Sequence, residues 1–332
     1  MKRLLLTVAT MAALATSAAT AAPLHVVERI AGPDGGWDYA SFDAARGRVY
    51  IAHTDKVLML DVKSDRLDAD FAAGDRLHAV VPVPGSDVLV TTNSGDKSVK
   101  ILNARDGKLI KSLSVDADAD GATYDPFTRL VIVINGDPGV VTLVDPRARS
   151  VVGTIKVHEG LEFPAVDGKG RLFINIESTG AIAVVDLNSK RMVGVYPMHD
   201  CVRPTGLAYV IGERLVSACG AGGAKILDAR TGAELASFKI GGFPDAVIYD
   251  PVRRVALIPT GLDGKLNVIA LSGAHNNTIV ETDETQIGAR TGAVDPSSGR
   301  VYLPSAEYIL PVPAGQRPTP KPGTFHVLVM AR

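Results

Sequence analysis

The feature that most constrains this chain is an internal repeat with a step near 42 residues. Short apolar runs closed by Asp or Asn recur as Val57–Asp61, Val99–Asn103, Val141–Asp145, Ile182–Asp186 and Ala224–Asp228. Their closing residues are separated by 42, 42, 41 and 42 positions. Leu266–Ala270 falls on the next step without the acid, and residues 325–330 supply a seventh, displaced run. A second series precedes these runs: Arg48-Val49-Tyr50, Arg129-Leu130-Val131, Arg171-Leu172-Phe173, Arg214-Leu215-Val216, Arg254-Val255-Ala256 and Arg300-Val301-Tyr302, with Val88–Val90 filling the slot in the second unit. Asp-Pro turns at 125–126, 250–251 and 295–296 stand just upstream, where the fixed φ of Pro favours a reversal.

Each unit therefore reads as four short strands, A to D, with β-branched and aromatic runs and no 3.6-residue periodicity. Four strands per roughly 40 residues is the pattern of a β-propeller blade. The chain is predicted to be all-β: a seven-bladed β-propeller of four-stranded antiparallel blades, forming one domain over residues 22–332. A β-sandwich would not give so regular a period. The seventh unit lacks its own strand D. Residues 25–30 (HVVERI) belong to no complete unit and are predicted to close the ring by pairing that open edge.

Residues 1–21 read as a signal peptide. Lys2 and Arg3 precede an apolar stretch from Leu4 to Ala15, and Ala19-Thr20-Ala21 is a cleavage site. The apolar stretch is too short to cross a bilayer, so no membrane anchor is expected, and the predicted address is the periplasm. Of 35 basic and 36 acidic residues, removal of Lys2 and Arg3 leaves 33 against 36. A slightly acidic body offers no footprint for duplex nucleic acid. The two cysteines of an exported chain, Cys201 and Cys219, are predicted to form one disulfide at the same end of the fifth A–B hairpin. A Pro-rich segment, residues 308–324, interrupts the last blade between B and C. It is a candidate lid or partner contact.

The repeat resembles the YVTN-type repeat of exported, YncE-like β-propellers. The residues that carry the likeness are Gly36-Trp37-Asp38-Tyr39, Asp43, Arg48-Val49-Tyr50, Tyr124-Asp125-Pro126, Glu162-Phe163, Asp167–Arg171, Arg290-Thr291, Asp295-Pro296 and Arg300-Val301-Tyr302. It covers nearly all of the mature chain. It implies the seven-bladed fold and a periplasmic address, and it assigns no reaction.

In a propeller the A strands line the central channel, and side chains from every blade meet at its mouth. The A-strand entries carry Trp37, Asp38, His78, Asp120, Glu162, Arg203, Asp245 and Arg290. The B-strand ends carry His53, Asn135, Asn175, Glu177 and Glu307. Of these, Trp37, Asp38, His53, His78, Glu162, Asn175, Glu177, Arg203, Arg290 and Glu307 are the candidate ligand-binding residues. Arg203 and Arg290 are a candidate anion clamp. His53 and His78, with Asp38 or Glu177, are a candidate transition-metal set. The expected function is binding or scaffolding of a periplasmic protein or small ligand by a monomer. The alternative is a metal-dependent lactonase or hydrolase, by analogy with gluconolactonase-type propellers, with Glu162, Asn175, Glu177 and Asn135 around a Ca, Zn or Mn cation. A redox-linked role beside quinoprotein dehydrogenases is a third reading.

Overall fold

A computed structural model describes residues 22–309 and 319–332. Residues 1–21, read above as a signal peptide, and most of the Pro-rich segment lie outside the described residues. Seven four-stranded antiparallel sheets follow one another along the chain, spanning residues 40–73, 77–114, 119–156, 161–197, 204–239 and 248–284 for blades one to six. Blade seven takes strands Ala293–Val294, Val301–Ser305 and His326–Ala331. Its outer strand is the N-terminal His25–Ala31, paired antiparallel from His25 opposite Ala331 to Ala31 opposite His326. The ring is thus closed by both ends of the chain, as the unpaired N-terminal strand implied. Among the described residues the helical content is one 3₁₀ turn, Gly273–His275, and no helix is long and apolar enough to cross a membrane.

The repeat signature has local causes. In blades one to five the Asp or Asn that closes the C strand accepts backbone N–H bonds from the following turn. Asp145 Oδ1 takes Arg147 N at 2.8 Å and Ala148 N at 2.9 Å. Asp186 and Asp228 repeat the arrangement. A carboxylate does this by imitating a backbone carbonyl in the tight turn. In blade six, where Ala270 replaces the acid, the turn is lengthened and Asn277 N donates to Ala270 O.

The Arg series divides in two. Arg48 and Arg171 open their B strands and reach across to the next blade, donating to Ala104 O and Ala229 O at 2.8 and 3.0 Å. Arg214 likewise donates to Leu271 O at 2.6 Å, and Arg300 pairs with Asp65. Arg129 and Arg254 do not share that position. They occupy the preceding turn position at φ 62° and 56°, and their B strands begin at Leu130 and Val255. The periodicity of the Arg is real, but its register shifts by one residue in blades three and six.

Apolar residues of the B and C strands fill the seams between blades. One buried cluster joins Ile132, Ile134, Leu143 and Leu172, Ile174, Val185 of blades three and four. Another joins Val49, Ile51, Leu60 with Tyr302, Val327 and Val329 across the closure. Burial is thus distributed around the ring, and each blade depends on its two neighbours.

Cys201 and Cys219 form the expected disulfide, with Cα atoms 5.2 Å apart. Pro204, not Cys201, pairs with Cys219 across the hairpin, so the loop before the A strand folds over to bring the thiols together. Closing a loop of this length contributes about 3 kcal/mol in the chain-entropy picture. The double variant Cys201→Ser, Cys219→Ser is expected to lose about that much in urea unfolding. An unchanged midpoint would assign the bridge no stabilising role.

Candidate functional site

Each A strand begins at the same face as the end of its B strand. In blades two to five the pairing slips at this point: between Leu77 and Val80, Ala119 and Ala122, Leu161 and Pro164, and Pro204 and Leu207. The bulge frees one residue per blade from the sheet alternation and re-aims its side chain. Those residues are His78, Asp120, Glu162 and Thr205. Asp38, Asp245 and Arg290 hold the corresponding place in blades one, six and seven. The mouth is therefore a ring of seven side chains: four carboxyls, one imidazole, one guanidinium and one hydroxyl.

Neighbours in the ring are linked. His78 Nδ1 lies 2.7 Å from Asp38 Oδ2 and 3.4 Å from Asp120 Oδ1. Tyr39 Oη donates to Glu162 Oε2 at 3.4 Å while its ring packs on Phe163. Arg290 Nε donates to Asp245 Oδ2 at 3.0 Å and Nη2 to Trp37 O at 2.6 Å, and its guanidinium lies over the Trp37 ring. Thr205 Oγ1 donates to Pro244 O at 2.6 Å. Below the ring is an apolar cavity of about 200 Å³ lined by Tyr39, Phe42, Phe163, Ala246 and Val294.

The electrostatics follow from crowding acids over an apolar channel. Burial, then the charge of Asp120, Asp245 and Glu177, pushes the Glu162 carboxyl up to about 10. Burial and Asp38 push Asp120 up to about 8, against the pull of His78. Asp245 is raised by burial although Arg290 opposes the shift. Burial disfavours the charged imidazole of His78, but the hydrogen bond that its Nδ1–H donates to Asp38 and the field of Asp120 outweigh it, and its pKa is raised. Like charges in a half-buried ring disfavour full ionisation.

The ring gathers Asp38, His78, Glu162 and Arg290. Other candidates stand elsewhere. Trp37 is buried against Tyr308 and Phe325, beside the ring but not open to it. His53 is 2% exposed and meets Phe325 edge-on, so it makes no metal pair with the ion-paired His78. Asn135 and Asn175 turn into the blades. Asn135 Nδ2 donates to Asp116 O and Ala117 O while its Oδ1 accepts from Thr142. Asn175 Nδ2 donates to Thr205 O and Gly206 O while its Oδ1 accepts from Ser217. Their amides brace the hairpins instead of facing a cation. Arg203 is exposed at φ 51° and lines, with Glu177 and His199, an open depression of about 640 Å³ beside the disulfide loop. Arg290 is already paired with Asp245, so the two arginines form no common clamp. Glu307 pairs with Lys321 on the rim. Thr205 is the ring member that sequence reading missed. It lies 43 residues after Glu162, as Glu162 lies 42 after Asp120 and Asp120 lies 42 after His78.

No protein-family model matches the chain, and no curated protein matches it. Solved structures resemble it in fold. The U3-55K structure aligns with a TM-score of 0.77 at 11% identity, covering 93% of this chain and 98% of that one. A Kuenenia stuttgartiensis hydrazine synthase chain aligns at 0.72 and 15%, covering 84% and 94%. A mitotic checkpoint complex chain aligns at 0.72 and 14%, covering 90% and 96%. At these identities the likeness extends to the fold and not to activity. The four-stranded sheets, their closure and these neighbours together establish a seven-bladed β-propeller.

Proposed function

We propose that this chain is an exported, periplasmic β-propeller of the YVTN/YncE-like kind that binds a ligand without transforming it, and that the mouth ring takes the cationic part of that ligand. The observation that carries the reading is the charge imbalance of the ring. Asp38, Asp120, Glu162 and Asp245 face His78 and Arg290, and Arg290 is already neutralised by Asp245. Burial first and the neighbouring acids second raise the Glu162 and Asp120 carboxyls, so these groups hold protons that an entering cation can displace. A cation entering the mouth would take the place of those protons and be held by the carboxylates left behind.

Binding is favoured over the lactonase reading by the donor set. That reading needs the amides of Asn135 and Asn175 beside Glu162 and Glu177, and both amides are satisfied within the blades. The signal-like segment and the disulfide support an oxidising compartment.

Spermidine is a suitable probe of cation binding. At low ionic strength it is expected to raise the unfolding temperature of the mature chain, with the effect reduced at least tenfold in apparent affinity by Glu162→Gln combined with Asp120→Asn. If neither spermidine nor divalent cations stabilise the chain, the mouth is not a cation site and this reading fails.

A further inference from the structure

We infer that Asp38, His78 and Asp120 form a binding site for one first-row divalent transition-metal ion, with His78 ligating through Nδ1. The inference rests on the cation-binding reading of the mouth and names its ligand class.

The argument begins with the far side of the imidazole. Ser94 Oγ donates its hydrogen to Arg76 O at 3.3 Å. Its lone pair is then left for His78 Nε2, which lies 2.9 Å away. Nε2 must therefore carry the hydrogen, and in a neutral ring Nδ1 has only a lone pair. Nδ1 faces two carboxylate oxygens, Asp38 Oδ2 at 2.7 Å and Asp120 Oδ1 at 3.4 Å. In the metal-free chain a proton on Nδ1 joins this group, and a metal ion can take the place of that proton. A proton on Nδ1 can bridge to one oxygen at a time. A metal ion engages all three.

The three ligand atoms lie within 4.8 Å of one another. Neighbouring ligands around a tetrahedral ion with bonds near 2.1 Å are separated by about 3.4 Å, which is the Nδ1 to Asp120 separation. The Asp38 oxygen needs to withdraw by less than an ångström. One imidazole with two carboxylates suits Zn²⁺, Mn²⁺ or Co²⁺, whereas Ca²⁺ calls for six or more oxygens and no nitrogen. Ser94 then acts as the outer partner that fixes the ligating tautomer. Blades one, two and three each supply one ligand, so the ion would also tie three blades at the axis.

The test is titration of Zn²⁺ into chelator-stripped mature chain by calorimetry, with Co²⁺ added separately and followed by visible absorption. The expected result is one equivalent of Zn²⁺ and a Co²⁺ spectrum with imidazole ligation. His78→Ala is expected to weaken affinity at least 100-fold. Ser94→Ala is expected to weaken it about 10- to 100-fold while leaving urea unfolding of the metal-free chain unchanged, which covers the case in which His78→Ala does not fold. Absence of stoichiometric Zn²⁺ and Co²⁺ binding, or unaltered binding in Ser94→Ala and His78→Ala, overturns the site. If spermidine still stabilises the chain in that event, His78 is simply protonated and the cation-binding mouth stands. If neither spermidine nor metal acts, both readings fall.

Discussion

Replacing Ile30 by Asp is expected to destabilise the chain by about 4 kcal/mol, the range reached when an unpaired charge is forced into a packed site. Ile30 is 8% exposed and packs in the seam that also holds Val49, Leu60, Tyr302 and Val327. It sits on the one strand that joins the N-terminal end of the chain to the C-terminal blade, opposite Val327. A ring made of nearest-neighbour contacts can open at its weakest seam. Here the seam between blades seven and one is held by apolar packing and also by a strand covalently continuous with blade one. Opening the ring requires that strand to be extracted. Loss of Ile30 should therefore lower the unfolding midpoint and release the outer edge of His326–Ala331 for aggregation. Val27→Asp on the same strand is the control. Val27 is 44% exposed and lies at the bulge between Val26 and Glu28, and its replacement should change stability by no more than about 0.5 kcal/mol. Equal effects from the two substitutions, measured by urea unfolding, would remove the closing strand from the account.

The second large effect is on pH dependence, read in chelator so that bound metal does not enter. In the unfolded chain Glu162 titrates near the ordinary glutamate value, about 4.3. In the folded chain burial and the surrounding acids hold its proton up to about 10. Between those limits the folded state keeps a proton that the unfolded state has released. Stability must then fall as pH rises, by up to about 1.4 kcal/mol per pH unit for one such group. The electrostatic penalty is absent below about pH 4 and complete only above pH 10. Asp120, raised to about 8, adds the same sign over a narrower window. From pH 5.5 to 8.5 Glu162 alone is expected to cost the native chain on the order of 4 kcal/mol, with Asp120 adding to the loss. Glu162→Gln keeps the shape without an ionisable proton, so it should match the native chain near pH 5 and exceed it at pH 8.5. A Glu162→Gln chain whose stability falls as steeply with pH as the native one would show that another group carries the dependence. Asp120 and Asp245, both raised, are the acids that would carry it.

How much of this was legible in the sequence depends on whether a residue's role is local. The acids at 61, 145, 186 and 228 recur because each closes its own turn within a few residues, and a local cause leaves a periodic trace. The arginines at 48, 171 and 214 recur because each reaches a carbonyl one blade away, and the repeat carries that distance with it. The register shift at Arg129 and Arg254 was not legible, since it depends on which residue adopts the left-handed turn conformation.

The site was legible in part for the same reason. His78, Asp120 and Glu162 fall on the repeat step, so their convergence follows from the period. Asn135 and Asn175 are polar residues at B-strand ends, yet they serve neighbouring carbonyls. Composition cannot tell an amide that faces a channel from one that braces a hairpin, because both positions are polar and both lie at a strand terminus.

The sequence by itself determined the number of blades, the strand order within them, the closing strand and the cysteine pair. These depend on alternation, turn chemistry and a period, which are properties of chain neighbours or of one repeat step. Only the tertiary structure decided which side chains share the mouth. That choice is made by bulges that re-aim one residue per A strand, and by hydrogen bonds between blades that leave some polar groups satisfied and others facing one another. Those contacts form between residues as far apart as Arg290 and Trp37, and no local pattern encodes them.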